Sequence, residues 1–512
     1  IAEGEILYYD VGRSSTVLMY EEEGSFMLRN NGLPEAGASP LGAPNALENQ
    51  RLLGALPVLA RPDVKSALIV GLGAGSAVTG IPPTVEDIDV IELEPKVIEA
   101  NLLITDRRKY QPLQDPRVSV VINDARSALA LTSKKYDMVV SQPSHPWSAG
   151  ASHLYTREYM QMVTEHLNDD GVYLQWINSQ FLDESLLKSL CATILDVFPN
   201  VRIYQWSPQV LFFLASDEPM DIERQILETG RPFSDAPLFY LELGVSAVED
   251  TVAALMMDEQ GVRSFAEGAQ VITDDFNMMA MESARLTQEG RELSVQKLAD
   301  IFRPWVPALN PNSWVHQELG NALVFTRIAE KFATLSTRQY SSELVLTLSQ
   351  ANNPNALLLA GILLRSQTGG ERAEETVSAA LVAMPSSNYA KYAVVEPWLR
   401  FLGSETLEDQ IPEHIPQIIE TMTGISRVVV DAAAALTRRD LQRVADLDVQ
   451  LSSANTADPW FAEAVKLRVD WRNAVSNPGL QQRFTDQAWR ILDLAMANKN
   501  DQNFFAMRVV SA

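Results

Sequence analysis

Ser66-Ala-Leu-Ile-Val-Gly-Leu-Gly-Ala-Gly75 is the stretch from which the fold can be read. Ala67 to Val70 is a short apolar run with no alternating polar positions, the pattern of a strand buried on both faces. It runs directly into glycines at 71, 73 and 75, and an apolar helical stretch opens at Ser76. A sharp turn that a ligand approaches closely leaves no room for a Cβ, so strand, Gly-rich turn and helix start together predict a nucleotide-type binding unit. Further apolar runs at 89–92, 118–122, 138–140 and 172–176 alternate with helix-length segments such as 94–103 and 156–167. The runs at 201–206 and 210–215 are spaced for a hairpin. The pattern predicts an α/β fold, a doubly wound Rossmann-like sheet that ends in an antiparallel pair.

The residues after the Gly-rich turn narrow the ligand. Glu92 closes the next strand, in Val90-Ile-Glu-Leu-Glu-Pro95, where an acid can accept both hydroxyls of a ribose. Asn123-Asp124-Ala125 follows the third strand, with Asp124 placed to accept from an adenine amino group and also to cap the helix that follows. A dinucleotide site would favour a third glycine at position 76, which is Ser76 here. The spacing fits a sulfonium nucleoside such as S-adenosylmethionine better.

The flanks differ in kind. Residues 1–62 predict β-strands at 6–11, 16–22 and 25–29, a Gly- and Pro-rich loop over 30–44, and a helix over 45–59 that Pro62 stops. Residues 63–295 hold the nucleoside-binding pattern. From 296 to 512 the strand signal fades into helical hairpins, and 354–387 fits a 34-residue tetratricopeptide unit. Leu357, Gly361 and Leu364 fall on its first helix, Ala373, Val377 and Ala380 on its second, and Pro385 ends it; Ala488, Leu492 and Ala495 repeat the second-helix spacing. Such an array suits a protein partner.

Composition sets the outer limits. With 41 Lys plus Arg against 66 Asp plus Glu, the formal charge is -25, and no basic cluster exists to hold a nucleic-acid backbone or an anionic lipid surface. Cys191 is the lone cysteine and the five histidines show no metal-ligand spacing, so neither an internal disulfide nor a zinc site is expected. No run reaches the ~18 to 20 apolar residues that span a bilayer.

Several motifs in order carry a resemblance. The N-terminal hairpins, Gln50 before Leu56-Pro57, the Gly-rich turn, Val-Ile-Glu, Asp115-Pro-Arg-Val118, Asn-Asp-Ala, Tyr136-Asp137 and Leu154-Tyr-Thr-Arg-Glu-Tyr159 resemble the spermidine synthase (polyamine aminopropyltransferase) family over about residues 1 to 285. Ser141-Gln-Pro-Ser-His-Pro-Trp147 and Thr273-Asp-Asp275 are similar to a bacterial branch fused behind a membrane-embedded transporter-like half. The resemblance implies an S-adenosylmethionine-dependent transferase type of sheet, a homo-oligomer, and a cytoplasmic location as the soluble part of an inner-membrane protein. It also implies a nucleoside site built from Gln50, Gly71, Gly73, Ala74, Gly75, Glu92, Asp124, Ala125, Ser141 and Trp147. The substrate would be S-adenosylmethionine or its decarboxylated form.

The departures shape the expected chemistry. The family places an aspartate where Ala74 stands, and an Asp-x-x-Asp-Pro where Gln142-Pro-Ser-His-Pro146 stands; the first of those aspartates is its general base. Its amine-site tyrosine is Asn49 here. Gln142 takes no proton, so ordinary amine transfer is in doubt. Two missing carboxylates also remove the repulsion that would exclude intact S-adenosylmethionine. The expectation is therefore a lyase-like cleavage in which the substrate's own carboxylate releases methylthioadenosine and homoserine lactone. Gln142, His145, Asp274 and Asp275 are the catalytic candidates, although a loop histidine more often serves the fold and an Asp pair after Thr273 more often caps a helix. Genuine aminopropyl transfer, methyl transfer and a catalytically silent nucleoside sensor are the competing functions.

Overall fold

The computed structural model describes residues 4–446 except chiefly 42–48, 226–236, 316–327, 333–337, 403–409 and scattered single positions; 447–512 lie outside the described residues. The repeat spacing expected at Ala488, Leu492 and Ala495 falls in that outside stretch. The chain divides into two compact units, one of residues 1–228, 232–310 and 335–337, the other of 229–231, 311–334 and 338–512.

The first unit holds two sheets. β1 (Glu5–Val11), β2 (Thr16–Glu22), β3 (Ser25–Asn30) and β4 (Leu33–Ala38) form an antiparallel meander in chain order. Glu23-Gly24 and Asn31-Gly32 join successive strands with positive φ at both residues, the backbone that two-residue hairpin turns demand. The second turn corrects the expected loop over 30–44, because Asn31-Gly32 starts a fourth strand. Pro34 is tolerated in it because β4 lies at a sheet edge.

The second sheet runs β12 (Leu255–Met257), β10 (Asn200–Ser207), β11 (Val210–Ser216), β9 (Leu167–Asn178), β8 (Tyr136–Ser141), β5 (Ser66–Val70), β6 (Asp87–Glu92), β7 (Val118–Ile122). β7, β6, β5, β8 and β9 are parallel, whereas β11, β10 and β12 add antiparallel. Ala67, Leu68, Ile69 and Val70 are at most 3% exposed, as helices cover both faces of the sheet centre. β5 pairs with β6 on one side and β8 on the other, so the strand order reverses there. Beyond the carboxyl ends of such strands an α/β sheet opens a crevice.

Helices position that crevice. α1 (Leu52–Ala60) is buried along its whole length and follows the 3-10 turn Asn49–Arg51 that carries Gln50. α2 (Ser76–Thr79) continues the Gly-rich turn, α3 (Pro95–Leu103) follows β6, and α4 (Ala125–Leu131) follows β7. α5 (Arg157–Glu165) precedes β9, and α6 (Glu184–Leu195) buries Cys191, whose thiol is pushed up by burial. Asp137 is committed to holding strand starts: its carboxylate accepts from the Lys65 and Ser66 backbone N–H groups and from Asn168.

In the second unit, helices Arg338–Gln350, Pro354–Gln367, Glu371–Ala383, Asn388–Val395 and His414–Thr421 succeed one another. Leu358, Ile362, Val377, Ala380, Val394 and Ile415 share one core. A Cβ at Gly361 would lie 2.6 Å from Val377 Cγ2, so a larger residue would force Pro354–Gln367 and Glu371–Ala383 apart. Among the described residues no helix is long and apolar enough to cross a membrane.

Candidate active site

The Gly-rich turn is built so that its carbonyls face protein. Asn101 Nδ2 donates to Gly73 O at 2.8 Å, Arg108 Nη2 to Ala74 O, and Gln142 Nε2 to Gly71 O at 2.6 Å. Its carbonyls are thus tied down by Asn101 of α3, by Arg108 beyond that helix and by Gln142 just after β8, while the turn lines the crevice. Gly71 and Gly75 have φ of 92° and 78°; a Cβ would stand 2.9 Å from Gln142 O at the first and 2.4 Å from Pro112 Cγ at the second. Side chains are excluded there by both backbone strain and contact.

A cavity of ≈ 220 Å³ opens against this turn. Gln50, Gly71, Gly73, Ala74, Glu92, Asp124, Ala125 and Gln142 line it, so most of the residues expected to hold a nucleoside meet in one place. The Glu92 carboxylate accepts from the Leu72 N–H (2.9 Å) and the Glu94 N–H (2.9 Å), and burial raises its pKa. Asp124 lines the cavity and also caps α4 through Ser127 N–H at 2.9 Å. Glu94 caps α3 through Lys96 N–H and accepts from the backbone N–H groups of Ser14 and Ser15 in the β1–β2 turn, which ties the meander to the cavity rim.

Other expected residues stand elsewhere. Gly75 holds the turn without lining the cavity. Ser141 is fully buried at the end of β8, where Tyr159 Oη donates to its hydroxyl. His145 and Trp147 form an aromatic cluster with Phe181, ring centroids 4.9 to 5.1 Å apart. Asp274 is spent on protein: Arg126 grips it with two bonds of 2.7 Å, Thr156 Oγ1 donates at 2.8 Å, and the guanidinium first of all holds its carboxyl down at about 2. Asp275 is exposed in the adjoining turn, and the helix Met278–Glu289 is capped by Asn277 instead.

Five of the lining residues that the sequence pattern did not single out come from strands and the β3–β4 turn. Glu35 and Ala36 come from β4, Asn30 from the end of β3, Asn31 from the β3–β4 turn, and Trp176 from β9. The Trp176 indole N–H is buried with no hydrogen-bond partner among the described residues, a donor without an acceptor at the cavity wall. The signal for β4 was present in Asn31-Gly32, a strong two-residue hairpin signature. Among the described residues no group of three or more His, Cys, Asp or Glu could hold a metal ion.

Residues 47–208, which hold most of the Rossmann-like sheet, match the family model of the spermine/spermidine synthase domain. A polyamine aminopropyltransferase of Methanocaldococcus jannaschii is 30% identical over 152 residues, 28% of this chain and 50% of that protein. One of Clostridium perfringens is 28% identical over 159 residues, 29% of this chain and 54% of that protein. The chain thus spans about half the length of these curated relatives. Among solved structures, a spermidine synthase in complex with the transition-state analogue AdoDATO aligns at 20% identity and a TM-score of 0.43, covering 51% of this chain and 88% of that one.

Proposed function

We propose that the first unit binds a sulfonium nucleoside, S-adenosylmethionine or its decarboxylated form, and breaks its alkyl C–S bond to release methylthioadenosine. The observation that carries this reading is the meeting of the Gly-rich turn, Glu92, Asp124 and Gln142 on one cavity at the strand switch point. Glu92 lies where a ribose would be gripped, and Asp124 where an adenine amino group would find an acceptor. The sulfonium makes the adjacent methylene electrophilic, so the protein's task is to orient a nucleophile in line with the C–S bond.

An amine is the nucleophile in the first reading, supported by the relatives named polyamine aminopropyltransferase. In the second, the nucleophile is the substrate's own carboxylate and the products are methylthioadenosine and homoserine lactone. Ala74 and Gln142 favour that alternative by leaving those two positions uncharged. In either reading we take the chain to work as a homo-oligomer in three parts divided at residues 62 and 295. We also take its helical region as a docking array for a protein partner, and its cytoplasmic place as behind a membrane-embedded half; the support is the resemblance and, for the division and the array, the apolar pattern of the sequence.

The test is a product assay on the full chain, given S-adenosylmethionine or its decarboxylated form, with and without diamines. Amine-dependent methylthioadenosine supports transfer; methylthioadenosine with homoserine lactone from S-adenosylmethionine alone supports the lyase. S-adenosylhomocysteine would replace both with methyl transfer, and no product in any arm despite nucleoside binding sinks the catalytic claim.

A further inference from the structure

Ala74 and Gln142 leave two expected acidic positions of the cavity without charge, yet the structure brings a carboxylate to the same cavity from another element. β4 runs beside the Gly-rich turn: a Cβ on Gly73 would stand 3.4 Å from the Ala36 methyl group. Its neighbour Glu35 lines the cavity together with Gln142, Pro143 and Ser144. The Glu35 side chain is only 13% exposed, the Ser144 hydroxyl donates to its Oε1, and His145 Nδ1 lies 3.7 Å from that oxygen, beyond hydrogen-bond reach.

The other carboxylates lining the cavity are engaged by backbone N–H groups: Glu92 by Leu72 and Glu94, Glu94 by Ser14, Ser15 and Lys96, Asp124 by Ser127. Those bonds fix them and spread their charge into the backbone. Glu35 has a hydroxyl and a nearby imidazole instead. Asp124 also accepts one bond, but from the backbone of the helix it caps, whereas the one bond to Glu35 comes from a side-chain hydroxyl that can turn to suit a ligand.

We propose that Glu35 receives a primary ammonium group in this cavity, with Ser144 as its positioning residue. The proposal rests on the nucleoside reading above and names the charge class that the site selects. The ammonium comes either from the aminopropyl tail of the decarboxylated nucleoside or from an acceptor amine. A shielded carboxylate attracts an ammonium and repels a carboxylate, so Glu35 counteracts the loss of acids at 74 and 142. Where the acceptor is the source, its ammonium gives a proton to Glu35, and the freed nitrogen pair forms a bond to the methylene beside the sulfonium. The C–S bond breaks with its electron pair on sulfur, leaving methylthioadenosine and a secondary ammonium, and the Glu35 proton departs to water.

Titration calorimetry on the full chain tests this with methylthioadenosine, S-adenosylmethionine and decarboxylated S-adenosylmethionine, and with butane-1,4-diamine added to the methylthioadenosine complex. The wild type is expected to prefer the decarboxylated over the intact nucleoside by about tenfold or more. Glu35→Gln compresses that ratio towards one if the tail is the source, and weakens the diamine by about tenfold if the acceptor is. Methylthioadenosine, which has no tail, should bind both proteins alike. Ser144→Ala should cause part of the loss and Glu35→Asp should restore part of it, which keeps the test decisive if Glu35→Gln fails to fold. Unchanged discrimination and unchanged diamine affinity, with methylthioadenosine still bound, overturns the assignment of Glu35. Failure of the wild type to bind methylthioadenosine instead overturns the nucleoside reading, and the proposal falls with it.

Discussion

At Gln142 an amide stands at the end of β8, and its Nε2 is spent on the Gly71 carbonyl. The residue links two neighbouring strand ends, so its loss should be felt by the turn before it is felt by any chemistry. Gln142→Ala is expected to cost about 1 kcal/mol of stability, the net worth of one hydrogen bond, and to weaken methylthioadenosine severalfold; thermal melts and calorimetry check both. Asp274 gives a second expectation, in pH. Its carboxyl titrates at about 2 in the fold against an ordinary 3.8. Because the folded value is depressed, its stabilisation is full above about pH 4 and is lost as pH falls towards about 2. Urea midpoints of wild type and Asp274→Asn should therefore differ at neutral pH by an amount that shrinks across that acid window. Sequence showed Asp274 as an acid after a threonine; it could not show Arg126, 148 residues away, closing on it.

At the scale of elements, the strands of the parallel sheet were legible because burial on both faces writes a continuous apolar run, as in Ala67 to Val70. β4 was not, because Leu33-Pro-Glu-Ala-Gly-Ala38 has weak strand propensity and is shaped by its partner β3 and the turn before it. Trp176 closes an apolar run that predicts a strand; that its face turns to the cavity depends on the register with β8 and β11. A paired substitution separates turn from site. Gly24→Ala and Gly32→Ala both place a side chain at positive φ, 79° and 78°, and should each cost about 1 kcal/mol. Gly32→Ala alone should also lower nucleoside affinity, because β4 follows it into the cavity wall; denaturation and binding curves of the two variants give the comparison.

For the whole molecule, the sequence pattern predicts a switch from strands to helices near residue 295, and among the described residues the last strand is Leu255–Met257. The first compact unit extends to Asn310. Long-range contacts decide that assignment, and a one-dimensional pattern does not encode them. Every residue that lines the cavity lies in the first unit. Calorimetric unfolding is therefore expected to show two transitions. Methylthioadenosine at about one hundred times its dissociation constant should stabilise the first unit by about 2.7 kcal/mol and leave the other transition in place.

The β3–β4 hairpin brings a wall of the cavity from a sheet that shares no strand with the Gly-rich turn. In the proposed reading, recognition of the nucleoside and contact with an ammonium are written on two different sheets of the first unit. A hairpin bearing glutamine, lysine or alanine at position 35 could be grafted between the same two neighbours, strand β2 and the chain after Ala38, without altering the turn that holds the nucleoside. In that reading the site joins a turn from one sheet to a wall from another, a layout open to retuning by natural variation or by design.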